Sequence, residues 1–201
     1  MVKFAYSAAG EITGVIDVFH AFRQPTIAIP AEVTAITGIT DALVAGHTID
    51  DGAVASFAAG SHIIIAHNAG FDRKFAERFW LLFTDKHWAC SMFEIDWKAH
   101  GLAGARLSYL LANVGLFHDA HRAVDDCHAL LEILARPLGA SEQTGLGALL
   151  GRAHTKQNAE TLLCGSVPRS GRAVVIPKST LIRSQALAGQ RATGAAHHLK
   201  R

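Results

Sequence analysis

The chain has 201 residues, half of them hydrophobic, with 19 Lys and Arg against 17 Asp and Glu and a formal net charge of +2. That length supports one compact core plus an extension. No run of about eighteen apolar residues occurs, so nothing reads as a membrane span, and the N-terminus lacks the charged-then-apolar pattern of a secretory signal. The net charge hides an asymmetry. Residues 1–150 carry 10 Lys and Arg and 16 Asp and Glu, a balance of −6, whereas residues 151–201 carry 9 and 1, a balance of +8. The pattern reads as an acidic folded body, 1–150, with a basic and disordered tail, 151–201. Cys90, Cys127 and Cys164 form no C-x-x-C pair; they read as reduced thiols, which points to a cytoplasmic location, with Cys90 and Cys127 buried.

In chain order, Val2–Tyr6 and Val15–Phe22 read as two strands joined through Ser7-Ala8-Ala9-Gly10, a hairpin signal. Pro30 to Gly38 has Pro at the first helical position and Gly just past the end, the asymmetry of a short helix. Thr48 and Asp51 resemble a capping box, opening a helix through Val54 and Phe57 that Gly60 closes. Three β-branched apolar residues, Ile63-Ile64-Ile65, read as a buried strand over 61–66. A turn follows at Asn68-Ala69-Gly70, and Phe71, Phe75, Phe79 and Leu82 then recur at helical spacing. This places one carboxylate, Asp72, near the start of an amphipathic helix, at the strand end where open α/β sheets usually hold ligands. On spacing alone Asp72 also reads as an acid favoured by the helix dipole.

His87–Met92 reads as a strand, Glu94–His100 as a short helical piece, and Leu107, Leu110, Leu111 and Val114 as one face of a helix. The last helix opens at His121-Arg122-Ala123-Val124-Asp125-Asp126 and ends at Arg136-Pro137. Leu130 and Ile133 follow Asp126 by four and seven residues, so Asp126 faces inward, where a carboxylate is costly unless a cation or donor meets it. Asp125 points about 100° away and reads as a solvated acid. Beyond residue 150, Gly, Ala, Arg, Ser and Thr dominate without periodicity. Ala173-Val174-Val175-Ile176 is the clearest short apolar run, and Pro177 ends it. A nucleic-acid-binding tail, a small appended element and out-of-frame translation all fit this segment.

His67-Asn68-Ala69-Gly70-Phe71-Asp72, followed by His121 and Asp126 five residues apart, resembles the motif pair of the DEDDh (DnaQ-like) 3′–5′ exonucleases, which include the proofreading subunit of bacterial replicative polymerase and ribonuclease T. The resemblance covers roughly residues 2–150. It implies a ribonuclease-H-like α/β fold, a mixed sheet with flanking helices. It also implies hydrolysis of phosphodiester bonds at 3′ ends of nucleic acid, with single-stranded or 3′-terminal DNA or RNA and a DNA polymerase as possible partners. Two ions, Mg²⁺ or Mn²⁺, about 4 Å apart would activate water and stabilise the leaving oxygen. Asp72 and Asp126 then stand as metal ligands and His121 as the base that deprotonates water. Asn68, Phe71 and Arg122 stand as candidate substrate contacts, but shaping the turn is the favoured reading of Asn68 and core packing that of Phe71, and a surface or structural ion pair fits Arg122 at least as well.

Two departures stand out. The family's His-Gly-Ile-Thr segment, which lies against the terminal nucleotide, is here Thr37-Gly38-Ile39-Thr40, without the His. The family's other two carboxylates come from an Asp-x-Glu on a first, central strand, and no Asp-x-Glu occurs anywhere. The chain therefore reads as starting one strand late. That predicts either a gap in the sheet or direct pairing of the hairpin with the 61–66 strand, since unpaired main-chain groups on both sides would be costly. It also predicts little or no activity for this chain as written. A non-catalytic nucleic-acid-binding or polymerase-associated module of the same fold, and a remnant of a truncated gene, are the competing readings.

Overall fold

The computed structural model describes residues 1–117, 122–160 and 170–177, the stretch 153–160 by its backbone alone. The chain opens with an antiparallel pair, β1 (Val2–Tyr6) and β2 (Ile12–Val18). Gly10 makes the turn at φ +79, and its amide donates to the Ser7 carbonyl at 3.0 Å. Three helices follow: α1 (Ala31–Thr37), α2 (Asp41–Val44) and α3 (Asp51–Ala58). Gly38 ends α1 in the left-handed conformation, as its position predicted. The cap of α3 is Asp50 rather than Thr48: its carboxylate accepts from the Ala53 amide. A carboxylate one residue before the helix reaches the orphan amides directly, so the reading of Thr48 as the cap is corrected.

Strand β3 (Ile63–Ala66) leads into α4 (Ala69–Phe79) and a single 3₁₀ turn at Leu81–Phe83. Next come β4 (His87–Cys90), α5 (Leu107–Asn113) and α6 (Ala123–Ala135). Residues 94–100 form turns, not the expected helical piece. The predicted strand 15–22 is displaced, running 12–18 with two register shifts against β1. Helix α7 (Gly145–Glu160) runs through the expected domain boundary at 150.

Five strands form one mixed sheet in the order β2-β1-β5-β3-β4, where β5 is Gly171–Ile176. The sheet therefore has neither a gap nor hairpin-to-β3 pairing. β5 lies antiparallel to β1, with Val2 opposite Val175, and parallel to β3, with Ala66 opposite Ile176. It takes the central place that the resemblance reserves for an upstream strand. The expectation of a tail that packs little on the body is corrected for these residues; 161–169 and 178–201 lie outside the described residues. The physical reason is burial on both faces. Ala173 and Val175 join the core under α5, α6 and α7, while Val174 and Ile176 join the core under α3 and α4. A strand buried on both faces has no polar alternation, so its four apolar residues looked like a fragment in a basic tail. The α/β class with a mixed sheet and helices on both faces is as expected.

Candidate active site

The site lies beyond the carboxyl ends of β3 and β5, where a helix from each layer begins. Asn68 carries the chain from β3 into α4 at φ +81, ψ +51, with no cap hydrogen bond from its side chain. Among non-glycine residues Asn tolerates this left-handed well best. The tight turn starts α4 at once, and its inward face carries Ala69, Asp72 and Ala76, all buried. Ala69 is held from below, its amide donating to Cys90 Sγ at 3.4 Å. Asp72 is fully buried, which a carboxylate accepts only with compensating charge or donors. At the end of β4, Ser91 fixes the neighbouring segment. Its amide donates to the Ala66 carbonyl at 3.1 Å, and its hydroxyl lies 3.0 Å from His67 Nδ1.

From the other layer, α6 presents Asp126 in its first turn, half-buried, while Asp125 and Arg122 are exposed. Cys127, the residue after Asp126, turns its side chain to the sheet and is fully buried. Its Sγ lies 3.5 Å from the Val175 carbonyl of β5. Burial pushes its thiol up to about 12, and the negative charges of Asp126 and Asp72 push the same way, against the opposing Met1 amine. Asp72 and Asp126, which lie 54 positions apart in the sequence, thus act on one sulfur atom. Phe71 is half-buried, its ring 5.1 Å from that of Phe75, so it packs at least in part as core. His121 lies outside the described residues.

Two carboxylates suit one hard divalent cation. Among the described residues, no group of three or more His, Cys, Asp or Glu side chains converges. The strand in the central place, Gly171-Arg172-Ala173-Val174-Val175-Ile176, followed by Pro177, brings no acid. The described residues therefore do not furnish a two-ion centre. Cys127 was legible in the sequence only as a buried thiol; its place at the sheet face against β5 follows from its sitting one residue after Asp126 on α6.

The exonuclease family model, RNase_T, matches residues 5–134. The chain belongs to that family. It is 30% identical over 127 residues to a PolC-type DNA polymerase III of Clostridium perfringens (strain 13 / Type A), an alignment spanning 60% of this chain and 9% of the polymerase. It is also 30% identical over 132 residues to a protein of Mycobacterium tuberculosis (strain CDC 1551 / Oshkosh) named as a bifunctional exonuclease/endonuclease. There it spans 60% of this chain and 20% of that protein. Among solved structures, exonuclease X in complex with 5′ overhanging duplex DNA is 25% identical, with a TM-score of 0.42, covering 74% of this chain and 90% of that one. The chain thus spans a small part of the length of these curated relatives.

Proposed function

We propose that this exonuclease-family domain is a DEDDh-type 3′–5′ exonuclease unit. It would act on 3′ ends of single-stranded DNA or RNA in the cytoplasm, in association with a DNA polymerase, and its turnover would require carboxylates beyond Asp72 and Asp126. What supports the reading is that Asp72 and Asp126 lie in the first turns of two helices packed on opposite faces of the sheet, α4 starting at the end of β3 and α6 held against β5 through Cys127 Sγ, 3.5 Å from the Val175 carbonyl. His121, by family resemblance, is the base for the attacking water, and Asn68, Phe71 and Arg122 are the candidate substrate contacts. The resident ions would be Mg²⁺ or Mn²⁺. Two such ions close together repel strongly unless enough anionic ligands surround them, and the described residues supply two. Residues 1–201 alone are expected to have little or no activity.

The test compares this chain with a version extended at its N-terminus by a strand bearing Asp-x-Glu, on a single-stranded oligonucleotide with Mg²⁺ or Mn²⁺. That strand must displace β5 from the central place. Turnover gained only with the extension, and lost again in Asp72→Ala, Asp126→Ala or His121→Ala, supports the reading. Equal turnover by both chains would mean that another acid, such as Asp17 or Asp125, completes the site. A second reading, a binding module that no longer cuts, is favoured by the acid-free central strand. It requires tight single-strand binding without cleavage in either version.

A further inference from the structure

A cleft of about 660 Å³ opens beside the site, lined by Met92, Ala103, Gly104, Arg106, Ser108 and Tyr109 with Ala105. Its position relative to the acids is fixed by bonds already described. The Ser91 amide and hydroxyl tie the end of β4 to the end of β3, and the Trp97 indole donates to the Ser91 carbonyl at 2.9 Å, closing the 91–97 turn. Met92, the next residue, packs on Ala66, Ala69 and Cys90. Ala69 lies three residues before Asp72, on the same buried face of α4. One flank of Met92 therefore rests on the support of the acid site and the other forms a wall of the cleft.

The opposite wall is as well defined. The Tyr109 hydroxyl accepts from the Ala103 amide at 3.1 Å, and the backbone at Gly104 lies against the Tyr109 ring, where an added Cβ would make ordinary contact at 3.5 Å. This anchors the 103–106 loop and leaves Arg106 exposed at the cleft. Among the described residues the Arg106 guanidinium has no ion pair and no hydrogen bond. On the chain beside Met92, the Phe93 ring is 71% exposed. Thioether, aromatic and glycine surfaces with one unpaired guanidinium match a nucleotide unit: a flat base and a phosphodiester.

We propose that this cleft is a second nucleic-acid site, holding a nucleotide of a single strand whose 3′ end lies at Asp72 and Asp126. The base rests against Met92 and Tyr109, and the phosphate pairs with Arg106. The inference rests on the exonuclease reading for the direction of the strand, but its readout is equilibrium binding and needs no turnover. The probes are a fluorescent single-stranded DNA long enough to reach both places and a mononucleotide, each titrated against the full chain in EDTA, where the two acids hold no cation and the cleft is the place left for a lone nucleotide. Arg106→Ala should weaken the long strand about tenfold and lower its log–log salt slope by about 0.7, and it should weaken the mononucleotide as well; Arg106→Lys should restore the slope. Unchanged long-strand affinity in Arg106→Ala would overturn the proposal. So would unchanged mononucleotide affinity, or no single-strand binding by the parent chain. If the extended chain fails to cut while Arg106→Ala still shows both losses, the exonuclease reading falls and the cleft stands.

Discussion

At the level of single residues, Cys127 links the site to stability. Its thiol ordinarily titrates near 9.0 and in the folded chain is pushed up to about 12, by burial first. A folded value above the unfolded one means the stabilising contribution is complete below pH 9 and is lost as pH rises toward 12. The loss is on the order of a few kcal/mol. Buried Tyr6, raised from 10.0 to about 12 by burial, adds a smaller loss over the upper part of the same window. Denaturant melts from pH 8 to 11.5 should therefore show steeply falling stability in the parent chain and a shallower fall in Cys127→Ala; parallel curves would contradict the assignment. Asn68 gives a second test. Its left-handed backbone carries no side-chain cap bond, so Asn68→Gly should leave stability nearly unchanged, whereas Asn68→Ala should cost about 1–2 kcal/mol. If instead both variants keep their stability and lose oligonucleotide affinity, Asn68 is a substrate contact rather than the residue that shapes the turn.

Among the elements, β5 dominates. Ala173, Val174 and Val175 are fully buried, and each valine buried on folding contributes about 1.5–3 kcal/mol. Val174→Asp should abolish cooperative unfolding, because the carboxylate would enter the core between Ile64 and α3; a two-state melt of ordinary steepness would contradict the strand's place. The α7 seam is a second sensitive point. Thr144 Oγ1 donates to the Gly10 carbonyl at 2.7 Å, and a Cβ on Gly10 would lie 2.3 Å from the Gly147 Cα. Gly10→Ala should therefore lower the melting temperature more than Gly14→Ala, where an added Cβ meets nothing.

These elements also show what could be read beforehand. The Ile63–Ile65 strand, the Phe71-Phe75-Phe79 face and the Asp126-Leu130-Ile133 face were legible because local periodicity and sheet burial agree. α7 was missed because its glycines, Gly145, Gly147 and Gly151, argue against a helix, yet Gly147 is where it must lie close to the hairpin turn. β5 was missed because its partners, Val2 and Ile63, are far away in sequence. Of the site, Asp72 and Asp126 could be placed from motif and helix phase. The acid-free strand beside them could not.

For the whole molecule, the separation of charge has a measurable consequence. Residues 178–201 hold five Lys and Arg and no acid, whereas β5 ends at Ile176. A chain ending at Pro177 should keep its melting temperature and lose oligonucleotide affinity mainly at low salt, flattening the salt dependence. An unchanged slope would remove nucleic-acid binding as the role of that segment.

The order of the strands also governs assembly in time. During synthesis the hairpin β1–β2 and the β3–β4 pair emerge early, each exposing one bare edge toward an empty centre, and the strand that joins them is made last. Bare edges recruit other strands, and pairings this distant in sequence close slowly. Val2 must stay unpaired on one side until Val175 has left the ribosome. Nascent chains stalled before residue 171 should therefore bind edge-seeking chaperones and aggregate, and release from both should coincide with emergence of Ala173–Ile176 rather than with completion of either acid-bearing helix.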